Sequence, residues 1–263
     1  MTGTKVIKLK LDESADKLPK LREKSDDRAL KLFDEVKYHG NPSEFYDKIF
    51  GLSEGWDVDS QRLQQIYDSL SHAYGGELDT EKAGLFLSAL MQTSSCNTLT
   101  LEVYHPLDRL CGNLFGEKDI RLVGNVGERL AEYMTSGKIT VEGDAGSSPG
   151  LSMIGGKLHI KGDAGEMAGN KLGSWWHPVV INGKKIDMEY PQPPVIMVDG
   201  DTGDKTGFMM YRGLVHVKGN AGAETGALMK GGIITVAGRI KSISPSFEKD
   251  EIWEAGVKRR PIG

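Results

Sequence analysis

Gly146-Ser147-Ser148-Pro149-Gly150 satisfies G-x-S-x-G, the turn that lifts the nucleophilic serine of an α/β hydrolase above its sheet. An elbow of that kind needs a strand before it and a helix after it. Here both glycines are already required by a repeat described below, and a strand follows, so esterase chemistry at Ser148 is not expected. His159 and His216 occupy the same position of that repeat and could suggest a metal ladder. Two coils separate them, about 9.6 Å at the spacing of paired strands, and one zinc with bonds near 2.1 Å cannot bridge that gap. His39, His72, His105 and His177 form no H-x3-H or similar pair, and Cys96 and Cys111 fit no CxxC motif. The recurrent glycines are not phosphate loops either, because a helix should open directly after such a loop. No catalytic, cofactor-binding or metal-ligating residue is therefore assigned. The chain alone is expected to show no formate-oxidising, esterase or glutamate-forming turnover.

The elements that carry these residues come in two kinds. Among 263 residues there are 34 glycines, well above the roughly 7% average, and the formal net charge is −4. That balance gives no overall basic field for nucleic acid or an anionic membrane. The first thirty residues hold no apolar signal core and no run of eighteen apolar residues occurs, so the reading is of a soluble, cytoplasmic protein.

Residues 1–97 read as a small α-helical domain preceded by an extended arm. Leu63, Ile66, Tyr67 and Leu70 fall at i, i+3, i+4 and i+7 behind a cap at Asp59 or Ser60, and Ala83, Phe86, Leu87, Leu90 and Met91 repeat the pattern behind Asp79-Thr80. Shorter helices are expected over Ala29 to Val36 and Ser43 to Phe50, the second opened by Asn41-Pro42.

From residue 98 onward the chain switches to strands and glycines with a fixed period. Gly124, Gly143, Gly162, Gly200, Gly219 and Gly238 are spaced by 19, 19, 38, 19 and 19 residues. Such a period marks a solenoid. Ten residues after each leading position stand Phe115, Met134, Met153, Leu172, Met210 and Met229, expected as a stacked interior ladder. The pairs Ile120/Leu122, Ile139/Val141, Leu158/Ile160, Ile196/Val198, Val215/Val217 and Ile234/Val236 alternate with mostly polar neighbours and should face inward from strands. Glycines such as Gly146 and Gly203 are expected at corners needing positive φ, and Asn125, Asp144, Asp163, Asp201 and Asn220 at αL or Asx turns. The fold class is mainly β: a right-handed parallel β-helix over 98–247, interrupted by an excursion at 173–194 and followed by a C-terminal tail at 248–263.

The formula G-[DN]-A-G-x3-G-x2-M-x-G-G-x-[IL]-x-[IV]-x-G is similar to the GXGXG repeats of the β-helical subunit of formylmethanofuran dehydrogenase and of the C-terminal domain of the glutamate synthase large subunit. Met134-Thr135-Ser136-Gly137-Lys138-Ile139, the interruption after Leu172, and Gly238-Arg239-Ile240 followed by Ser244-Pro245-Ser246-Phe247 make the formylmethanofuran dehydrogenase protein the nearer likeness. The helical first 97 residues depart from it. The resemblance implies a structural subunit of a one-carbon enzyme complex, an oxidoreductase or formyl-transfer assembly. It implies no cofactor in this chain, while partner subunits carry a molybdenum or tungsten pterin, iron–sulfur clusters and a dinuclear metal site. The alternative is a GXGXG subunit of a glutamate synthase-type or methylamine-glutamate N-methyltransferase complex.

On the outer strand face the early coils present Asp119, Lys138 and Lys157, but the later ones present Val195, Leu214 and Ile233, joined by Met197. An apolar column on the outside of a solenoid calls for a cover, supplied by the chain itself or by another subunit. Trp175, Trp176 and Tyr190 of the excursion add rigid aromatic surface next to it. Trp175, Trp176, Tyr190, Val195, Met197, Leu214 and Ile233 are the candidate partner interface.

Overall fold

The computed structural model describes residues 27–174, 180–181, 184–185, 192–246 and 251–259. Four helices come first: α1 (Asp27–Glu35), α2 (Pro42–Leu52), α3 (Ser60–Tyr74) and α4 (Thr80–Thr93). Asn41, Asp59 and Asp79 cap the last three by accepting the N–H of Glu44, Arg62 and Lys82 at 3.3, 2.8 and 2.9 Å. Each removes one orphan donor from a first turn. Leu63, Ile66, Tyr67 and Leu70 are buried on one face of α3, as their spacing requires.

The rest is a parallel β-solenoid. Strands β1 (Thr98–Glu102), β2 (Asp119–Val123), β3 (Lys138–Val141), β4 (Lys157–Ile160), β7 (Val195–Val198), β8 (Leu214–Val217), β9 (Ile233–Val236) and β10 (Glu251–Glu254) pair in that order, all parallel. Between β4 and β7 the chain makes a two-stranded antiparallel hairpin, β5 (Val180–Ile181) and β6 (Lys184–Lys185), outside the ladder. Lys157 pairs directly with Val195, so the interruption adds no rung.

The inward strand pairs are buried on every rung, and Leu99, Leu101 and Ile252 extend their columns at the two ends. Met134, Met153, Leu172, Met210 and Met229 form the expected interior ladder. Phe115 does not belong to it. Thr135 N–H bonds the carbonyl of Leu114, a separation of 21 residues, where Ile154 bonds Met134 across 20. The opening coil is thus out of step by one residue here, and Leu114 fills the interior place. Phe115 turns to the helices, its ring 6.4 Å from that of Phe50 and its N–H on Gln92 Oε1 at 3.0 Å.

The corners also differ from expectation. Positive φ recurs at alternate residues, such as Ser148, Gly150 and Ser152 at 57°, 73° and 52°, and most of these residues are not glycine. Gly146 and Gly203 are not among the positive-φ residues. A Cβ at Gly146 would stand 2.8 Å from the carbonyl carbon of Gly127 one coil back, and one at Gly203 would stand 2.7 Å from the Glu166 nitrogen. Close coil approach, not backbone handedness, excludes a side chain there. The Asx residues form a ladder between coils rather than local turns. Asn125, Asp144, Asp163, Asp201 and Asn220 each accept, through Oδ1, the N–H of the equivalent residue on the next coil, at 2.9, 2.9, 2.7, 2.7 and 3.0 Å. Asp163→Ala orphans the Asp201 N–H in a partly solvated site and is expected to cost about 1 kcal/mol. Urea unfolding checks this, since an unchanged midpoint would show that water replaces the carboxylate fully.

The segment read as a tail from residue 248 also needs correcting, because β10 continues the parallel ladder on β9. It lacks a leading glycine, so the period gives no sign of it. Ala255 and Gly256, at φ 48° and 78°, then turn the chain into β11 (Val257–Arg259), which runs antiparallel to β10.

Candidate docking face

The outer face of the sheet is built by the same alternation that fills the core. Every second strand residue points away from the buried pairs, and the parallel register stacks equivalent residues in columns one rung apart. The first outer column reads Asp119, Lys138, Lys157, Val195, Leu214, Ile233 and Glu251. Lys138 reaches Asp119 at 3.3 Å, giving the early rungs a solvated, charge-paired surface. From Val195 through Ile233 the column is apolar. Val195 and Leu214 are half-buried, and Ile233 is 39% exposed.

The neighbouring column reads Arg121, Thr140, His159, Met197, His216, Thr235 and Trp253. Met197 lies between the two histidines, which places them two rungs apart as the period implies. His159 Nε2 is 2.9 Å from Asp199 Oδ1, Lys218 Nζ reaches the same oxygen at 2.9 Å, and His216 Nδ1 is 2.6 Å from Thr235 Oγ1. Partial burial pushes the Asp199 carboxyl up, but hydrogen bonds from Lys218 and His159 outweigh it and hold the group below the usual carboxylate range. Arg121, Glu142 and Lys161 make a second cluster, with Glu142 bonded at 3.1 and 2.7 Å. Ion pairs therefore run along the border of the apolar strip but leave Val195, Leu214 and Ile233 uncharged.

A comparison with models of known protein families finds no match, and a comparison with curated proteins finds none either.

Trp175, Trp176 and Tyr190 lie outside the described residues. Val195, Met197, Leu214 and Ile233 are brought together on one face, over three consecutive rungs. The partly buried Trp253 extends that face at its last rung, and nothing in the repeat announces it because β10 lacks the leading glycine. The serine of the hydrolase-like motif sits in a coil corner. Ser148 donates its N–H to the Glu166 carbonyl at 2.7 Å, Gly150 donates to Leu130 at 2.8 Å, and the next regular element is β4 rather than a helix. Cys111 is buried beside Met91, and burial pushes its thiol well up. Among the described residues no group of three or more His, Cys, Asp or Glu side chains could hold a metal ion, and no helix is long and apolar enough to cross a membrane.

Proposed function

We propose that this chain is a non-catalytic scaffold subunit of a formylmethanofuran dehydrogenase-like, or formyltransferase/hydrolase, one-carbon enzyme complex. The observation that carries the reading is the apolar column Val195–Leu214–Ile233. It stands on a hydrogen-bonded ladder, partly exposed, bordered by ion pairs, at the point where the excursion rejoins the sheet. A rigid sheet presents such anchors without an ordering cost, which suits a docking surface more than a reaction centre. The coil formula and the place of the interruption support the choice of complex. The pterin, iron–sulfur and dinuclear metal sites then belong to the partners.

Purification of the tagged chain from its native cells, with the co-purifying subunits identified by mass spectrometry, tests this. A pterin metalloenzyme partner is expected. A flavoprotein barrel would replace the proposal with the glutamate synthase-type alternative, and a chain that elutes alone would overturn both. Leu214→Lys in the same experiment is expected to cut partner recovery at least tenfold, roughly the cost of losing one buried anchor. Its midpoint of unfolding should stay near that of the parent, because the residue faces outward.

A further inference from the structure

We infer that the helical segment is a stop on the solenoid: its side chains occupy the pairing edge of the first coil and so bar a second copy of this chain from adding there. A parallel rung offers N–H and C=O groups on both sides, and β1 has only β2 beside it. On its other side stands α3, whose residues at i, i+4 and i+7 take the place of a missing strand. Ser60 Oγ accepts the Thr100 N–H at 2.9 Å. Gln64 accepts the Glu102 N–H at 2.7 Å and donates to the Glu102 carbonyl at 3.1 Å, as a peptide group would. Tyr67 does the same at His105, accepting from its N–H at 2.8 Å and donating to its carbonyl at 2.9 Å.

α4 continues this around the coil. Gln92 accepts the Phe115 N–H, and Thr80 donates to Asp108 at 2.7 Å. Gly84 lies so close beneath the coil that a Cβ would overlap the Asp108 carbonyl oxygen. A merely apolar cover would leave these backbone groups unpaired, whereas this one satisfies them residue by residue.

The occupant that the stop excludes is specified by the repeat itself. Every coil of this chain carries the same 19-residue ladder, so the uncovered edge of β1 would accept a strand from another copy as readily as β2 accepts β3. The other end of the sheet offers one. Among the described residues no strand pairs with the outer side of β11, whose Val257, Lys258 and Arg259 are all exposed. Without the helices the molecule would be a head-to-tail unit, and such contacts do not close.

The test uses the full chain. Gly84→Ala wedges α4 off the coil without touching any strand, and Gly231→Ala, whose Cβ would strike the Tyr211 carbonyl, strains a distant coil as the control. Sedimentation velocity over a hundredfold concentration range should show concentration-dependent oligomers for Gly84→Ala alone. Should Gly84→Ala fail to fold, the double change Gln64→Ala and Gln92→Ala keeps the apolar packing. Amide exchange at Glu102 and Phe115 should then speed up at least tenfold, with that at Ile139 unchanged. Gly84→Ala whose helices exchange freely but whose oligomeric state matches the parent at every concentration would overturn the inference, as would unchanged exchange at Glu102 in the double variant.

Discussion

Gly162→Ala should lower the melting temperature by roughly 6–12 °C, a cost of about 3 kcal/mol or more for one added methyl group in a chain of this size. The Cβ would stand 2.8 Å from both the carbonyl carbon and the carbonyl oxygen of Gly143 and would press on Asp144 Oδ1. None of these can yield cheaply, since Gly143 is backbone of the previous coil and Asp144 Oδ1 is committed to the Asp163 N–H. Separating the coils would also lengthen the backbone bond from Gly162 to Gly143, now 3.0 Å. Gly55→Ala is the comparison. Its φ of 78° strains an alanine, but nothing lies within 4 Å of the added atom, so about 1 kcal/mol is expected. Equal melting temperatures for the two variants would show that coil approach is not what demands glycine.

Arg109→Ala should cost about 3–5 kcal/mol, because it strands two carboxylates at the junction of helices and solenoid. Arg109 Nε reaches Glu81 at 2.6 Å, its Nη1 bonds Glu132, and Tyr38 donates to Glu81 at 2.5 Å. The Arg109 and Glu132 side chains are only 11% and 7% exposed, so water cannot replace the pair. Burial holds the Glu132 carboxyl above its ordinary range, and Arg109 pulls it part of the way back. A carboxyl raised in the folded state favours folding below its unfolded pKa, and that contribution is lost as pH rises through the folded value. Removing the guanidinium raises the folded value further. The deficit of the variant should therefore be smallest in mild acid and grow toward neutral pH. Urea unfolding across about pH 4 to 8 measures it, and a deficit independent of pH would mean that Glu132 gains another cation.

The ladder is legible in the sequence because every coil places the same residue types at the same depth. The inward pairs from Ile120/Leu122 to Ile234/Val236 and the column from Met134 to Met229 repeat often enough to reveal 19 as the period. Where a coil changes length the period misleads, which is why it points to Phe115 for the interior place that Leu114 fills. Where a rung lacks its glycine the period is silent, and β10 with Trp253 leaves no mark. The reason for glycine at Gly146 and Gly203 is ambiguous in a sequence because crowding between coils leaves the same trace as a tight turn. Of the candidate interface, Val195, Met197, Leu214 and Ile233 are legible from alternation alone. The Arg109–Glu81–Glu132 cluster is not, since its members come from α4 and two coils and share no spacing.

The interval between β4 and β7 also bears on the order in which the molecule folds. Successive rungs of the solenoid from β2 to β9 close a loop of 19 residues, but this one closes 38. Doubling a loop adds only about 0.6 kcal/mol of closure entropy, yet in a one-dimensional stack each interface must form on its neighbour. That interface is the costliest to nucleate. The chain is thereby divided into two cooperative blocks, one growing outward from the helices through β4 and the other assembled from β7 to β11, and the last productive step in folding is their union.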